Sequence, residues 1–184
     1  MGKGIIVGVI VAILAGAALG YGLSYVFLGP GNTVVQTKFS AFRTVTYIDS
    51  TTTSPVQVDD AQMSITTSGA SRLIVRFTSA YVLYLYQNHN ELTRFQVNLT
   101  MNDVTESIHH LEAMSDGPVS NPDGAENSGF LLIEFVTEPL PAGTYVFKIM
   151  WRSIISSSPV HSQLIFCSPP FNNTRSFFVQ EIHI

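Results

Sequence analysis

From residue 31 onward, apolar and polar side chains alternate, the mark of strands that bury one face and turn the other outward. In 71–77, Leu73, Val75 and Phe77 share one face, and Arg72, Ile74 and Arg76 share the other. In 94–101, Phe95, Val97, Leu99 and Met101 form the inward set, with Arg94, Gln96, Asn98 and Thr100 pointing outward. In 144–152, Tyr145, Phe147, Ile149 and Trp151 alternate with Thr144, Val146, Lys148, Met150 and Arg152, so one face supplies the thick aromatic part of a sandwich core. Similar runs occur at 34–39, 44–48, 61–66, 81–86, 130–136, 161–166 and 176–182. Turn chemistry separates them at Thr67-Ser68-Gly69, Asn88-His89-Asn90, Pro122-Asp123-Gly124 and Pro141-Ala142-Gly143. The second of these, with His89 as a turn residue, is read as a hairpin joining 81–86 to 94–101. About ten short strands at this spacing predict an all-β, jelly-roll-like antiparallel β-sandwich.

The first thirty residues follow a different rule. Residues 5–28 carry no charge, and Lys3 is the only charged side chain before them. As a helix they would measure roughly 36 Å, against about 30 Å of bilayer hydrocarbon, so one N-terminal transmembrane helix is expected. Gly29-Pro30-Gly31 ends it, because proline offers no N–H to a continuing helix. Lys3 and the terminal amine place the N-terminus in the cytoplasm and the β-domain outside, a single-pass arrangement. The competing reading is a cleaved secretory signal, with Ala15-Gly16-Ala17 as the small-residue cleavage site; either way the domain is exported. The chain thus divides into an anchor (1–30), first strands or a connecting segment (31–58) and the sandwich (59–184). Within the anchor, Gly4, Gly8, Ala12, Gly16, Gly20 and Ser24 recur every four positions, a row that lets helix backbones approach closely in lipid.

Composition narrows the partners. Hydrophobic residues make up 46% of the chain and charged residues 12%, with a net charge of -4, so no basic surface for nucleic acid is expected. Membrane lipid, further copies of the chain and another surface protein or glycan are the expected partners.

Candidate chemistry is sparse. His109 and His110, near Glu112, are adjacent in a strand and so point to opposite faces, which makes them poor ligands for one metal ion. The long connection 113–129 carries Asp116, Asp123 and Glu126, but without the alternating oxygen ligands of a calcium loop. The lone Cys167 cannot form an internal disulfide, and no serine sits in a Gly-x-Ser-x-Gly context. No cofactor, metal or catalytic residue is therefore assigned. Two sequons begin at Asn98 and Asn172, the first on an outward strand face and the second in a loop; both are candidate glycosylation sites in an exported domain.

The stretch 61–184, with Ile65-Thr66-Thr67-Ser68-Gly69-Ala70-Ser71-Arg72-Leu73, then 140–151 and 175–182, resembles uncharacterised prokaryotic jelly rolls related in shape to tumour-necrosis-factor and complement-type domains. That resemblance implies a ten-stranded sandwich that commonly trimerises and binds partners without catalysis. Lys3-Gly4 before Ile5 looks like an archaeal type IV prepilin processing site, which implies a filament subunit assembled through its N-terminal helix. Archaellum stator proteins are similar in plan, with one membrane helix and an external β-sandwich. The leading expectation is a non-enzymatic, membrane-anchored cell-surface protein whose β-domain self-associates or binds an envelope or extracellular partner. The pilin-like or stator-like protein is the alternative.

Overall fold

The computed structural model describes residues 33–85, 92–114, 125–156, 162–166 and 174–184. The expected membrane helix, with its row from Gly4 to Ser24, lies outside the described residues, as do Asn172, His89, Asp116, Asp123, His161 and Cys167. Among the described residues no helix is long and apolar enough to cross a membrane. They form strands instead: β1 (Thr33–Phe42), β2 (Thr46–Asp49), β3 (Val56–Thr67), β4 (Ser71–Leu85), β5 (Leu92–Met101), β6 (Val104–Met114), β7 (Ala125–Val136), β8 (Gly143–Ser156), β9 (Gln163–Phe166) and β10 (Arg175–His183).

These strands build two antiparallel sheets. The four-stranded sheet runs β3-β8-β5-β6. In the six-stranded sheet β4 is the spine: β7 pairs along one edge, while β10 and β9 share the other, one after the other. β1 continues the sheet beyond β10, and β2 continues it beyond β9. The chain changes sheet at β2 to β3, β3 to β4, β4 to β5, β6 to β7, β7 to β8 and β8 to β9, the winding of a jelly-roll-like sandwich.

Several expectations need correction. The segments 71–77 and 81–86 belong to one strand, β4, because inward alternation continues through Ser79, which is fully buried where β10 gives way to β9. The hairpin expected between 81–86 and 94–101 does not form, because β4 and β5 lie in different sheets. β6 fills part of what read as connection, and the gap between β6 and β7 shrinks to 115–124. The segment 31–58 supplies β1, β2 and the start of β3, and β1 pairs with β10 along its whole length.

The core lies between the sheets and is built from the alternating residues. Leu73, Val75 and Phe77 of β4 face Phe95, Val97 and Leu99 of β5 and Phe147, Ile149 and Trp151 of β8, all essentially inaccessible. An aromatic chain ties the layers together. Trp151 of β8 stacks on Phe166 of β9 at 4.8 Å between centroids; Phe166 meets Phe77 at 6.1 Å, and Phe77 meets Phe177 edge-on at 5.9 Å. One side of the sandwich is closed by polar side chains of β1 reaching β3: Lys38 Nζ donates to the Ser64 carbonyl (2.7 Å) and Gln36 Nε2 to that of Thr66 (2.6 Å).

Candidate interaction face

The two outer faces of the sandwich differ in chemistry. On the six-stranded sheet, register brings Phe39 of β1 opposite Phe178 of β10, Phe178 opposite Arg76 of β4, and Arg76 opposite Glu134 of β7. Residues two apart along a strand share a face, so Ile74, Ala80, Phe130, Leu132 and Val136 lie on this surface too. Tyr47 of β2 lies on the same side of the sheet, beyond Ile165 and the buried Val82. Phe39, Tyr47, Phe130, Leu132 and Val136 are 50–67% exposed. From β1 to β7 is three strand spacings, about 14 Å, and Phe130 to Val136 covers about 20 Å, giving roughly 300 Å² of mean-plane area. That area, which includes the polar Gln180, Thr78, Arg76 and Glu134, is at the lower end of the about 300–600 Å² of the largest apolar patch on a typical monomer, which is often functional. Its charges are matched in place. Arg76 forms a two-donor ion pair with Glu134, and Arg72 lies 3.7 Å from Glu138.

The outer face of the four-stranded sheet is more polar, with Ile108 (55% exposed) and Ile154 (40%) as its exposed apolar residues. Gln62, Ser64 and Thr66 stand on β3, Lys148 and Arg152 on β8, and His110 and Glu112 on β6. Arg94 pairs with Glu112 at 2.6 Å, and Lys148 with Asp103 at 2.7 Å. Gln96 and Asn98 point outward on β5 as the alternation requires, yet are only 6% and 7% exposed, because flanking β8 and β6 carry long side chains. Arg152 donates twice to Gln96 Oε1 (3.2 and 2.9 Å), and Gln96 Nε2 donates to Asn98 Oδ1 (2.8 Å). Asn98 thus shares the outward face but sits in the middle of a ladder with its amide oxygen engaged, a placement with little room for a glycan. That burial is what sequence reading missed, because alternation reports direction and not cover.

His109 and His110 do diverge. His109 is opposite Val97 on the inner side and lies 3.1 Å from Ser107 Oγ, while His110 is opposite Gln96 on the outer side. Burial, and then the neighbouring His110, hold the His109 imidazole below its usual pKa. Two charged residues missed as such occupy inward positions of β10. Arg175 donates to the Thr44 carbonyl (3.0 Å) and lies 5.7 Å from the Phe42 ring centroid; Glu181 accepts from Gln36 Nε2 (2.6 Å). A carboxylate two positions from Val179 breaks the apolar row, a sign the sequence did carry. Both bind local backbone and edge groups. Among the described residues, no three of His, Cys, Asp and Glu lie close enough to hold a metal ion.

No known protein family and no curated protein matches the chain. Similar solved structures are distant. One is a crystal structure of dimeric latent PorU from Porphyromonas gingivalis, with 9% identity and a TM-score of 0.37 over 83% of this chain. The likeness covers only 14% of that protein's length. Another is Eiger TNF from S. frugiperda, with 12% identity, a TM-score of 0.36, and 80% of this chain and 92% of that one covered. A third, from infectious bursal disease virus Gx strain, has 9% identity and a TM-score of 0.29 over 83% of this chain and 36% of the other. The jelly-roll description rests on the chain's own strand order.

Proposed function

We propose that this is a non-enzymatic, membrane-anchored surface protein whose exposed β-sandwich associates with further copies of itself through the outer face of the six-stranded sheet. The observation that carries the reading is the exposure of Phe39, Phe130, Leu132 and Val136 on one face of a domain whose opposite face bonds its central polar side chains to one another. A second copy is a fitting occupant because Arg76 is already neutralised by Glu134, so two such faces meet without like-charge repulsion. Tethering through residues 5–28 would hold all copies in one plane and orientation, which raises their effective concentration.

The test is the molar mass of the full chain in detergent, by light scattering during size exclusion. The expected result is a multimer that falls to the monomer mass in Phe39→Asp/Phe130→Asp, with unchanged circular dichroism and unfolding midpoint. A wild-type monomer, or a double variant that stays multimeric through its helix, overturns the assignment to this face.

A further inference from the structure

The strand directions send the chain's connections to two different ends. At one end lie the start of β1, the end of β10 and the short turns 68–70 and 137–142, with the 102–103 turn set back beside Val146; the end of β4, the start of β5 and the end of β8 lie toward the other. We propose that the short-turn end rests on the bilayer, with an apolar tip of Ala70, Pro141, Ala142 and Ile184 seated in the headgroup layer. This rests on the reading of 5–28 as a membrane span.

The first argument is reach. Only residues 29–32 separate Leu28 from Thr33, so the first residue of β1 lies within about 18 Å of the end of the apolar run, even fully extended. Thr33 pairs with His183, and His183 with Ser71, so that limit applies to this end of both β10 and β4. The second argument is chemistry. Ala70, Pro141, Ala142 and Ile184 are exposed and contiguous: the Ile184 N–H donates to the Ala70 carbonyl (3.3 Å), and Gly69 leaves so little space that an added Cβ would lie 3.1 Å from Ala142 N. Gly69 also has φ +104°, which favours glycine there.

The tip is held firmly enough to act as a foot. Pro141 O accepts from Tyr145 OH (2.9 Å) and Thr67 Oγ1 (3.0 Å), and the Leu140 N–H donates to the Ser71 carbonyl (2.8 Å). Arg72, 3.7 Å from Glu138, stands beside it. Val104, 63% exposed, follows the Asn102–Asp103 turn on the same end. Small apolar groups beside charge suit the water–lipid boundary, not the hydrocarbon centre.

The experiment uses the full chain with its single cysteine removed (Cys167→Ser), carrying either Ala142→Cys or Thr53→Cys labelled with a polarity-sensitive fluorophore. Thr53 is exposed at the opposite end of the sandwich. The chains are reconstituted into phosphatidylcholine vesicles with and without a headgroup-proximal spin-labelled lipid. The expected result is blue-shifted emission from Ala142→Cys with quenching several-fold stronger than at Thr53→Cys, which stays aqueous. An aqueous probe at both positions in a chain that floats with the vesicles overturns the contact and leaves the anchor standing. Lipid-quenched probes at both positions overturn this orientation. A chain that does not float overturns the anchor and the contact together.

Discussion

The outer faces of the two sheets are made from the same alternation, yet one leaves five large apolar side chains half or more exposed, while the other exposes Ile108 and Ile154 and covers its central polar side chains with each other. On the four-stranded sheet, hydrogen bonds among Arg152, Gln96 and Asn98 and two ion pairs satisfy the surface without a partner. On the six-stranded sheet, the ion pair of Arg76 with Glu134 sits within an apolar field that gains only by being covered. The two faces differ in how much of their surface is satisfied without a partner, although their strands share a single core.

The largest expected effect comes from reversing the apolar face. Phe39→Asp with Phe130→Asp abolishes self-association read by light scattering, whereas Ile108→Asp, also exposed but on β6 of the other sheet, leaves it intact. Equal loss from both changes would remove the distinction between the faces.

Next is the polar network of the four-stranded sheet. Gln96→Ala strips a shared acceptor from Arg152 and a donor from Asn98, both on partly or fully buried ground. Loss of such buried partners costs about 1–3 kcal/mol, seen as a lower midpoint in urea unfolding with the multimer preserved. A neutral result would mean that water replaces the Gln96 amide.

Smaller still is the ion pair within the apolar field. Arg76 and Glu134 side chains are each about half exposed, so their pairing is screened and Arg76→Ala should change the unfolding free energy by under about 1 kcal/mol. The same change leaves Glu134 uncompensated at the proposed contact. Self-association should therefore weaken more than folding does, by comparison of dilution series with unfolding curves.

How far the sequence announced these surfaces depends on what enforces the pattern. Leu73, Val75 and Phe77, or Tyr145 to Trp151, were legible because a two-residue period meets a buried layer, and a slip would expose every one of them. β6 was not, because it is an edge strand: its inward set begins with Ser107 and His109, its outward set includes exposed Ile108, and neither side reads as a clean apolar row. The false hairpin through His89 shows a second limit, since local turn chemistry does not say whether the next strand pairs or crosses to the other sheet. The apolar face was hidden for a related reason. Phe39 lies far in sequence from Phe130 and Leu132, and they come onto one face only through the register of β1, β10, β4 and β7.

The smallest effect is expected at the margin of the polar face, where β6 turns His110 outward and His109 inward. Burial and the adjacent His110 lower the His109 pKa, so the folded protein favours the neutral ring more than the unfolded chain does. The stability this contributes is fully present above the unfolded value of 6.5 and is lost as pH falls through the lower folded value, because the unfolded state takes up the proton first. Urea unfolding between about pH 7.5 and about pH 5 should therefore show a fall in midpoint that is smaller in His109→Gln, which removes the titration and keeps a group able to bond Ser107. Equal slopes in the two proteins would mean that His109 is solvated like a surface histidine and that the edge of the polar face opens to water.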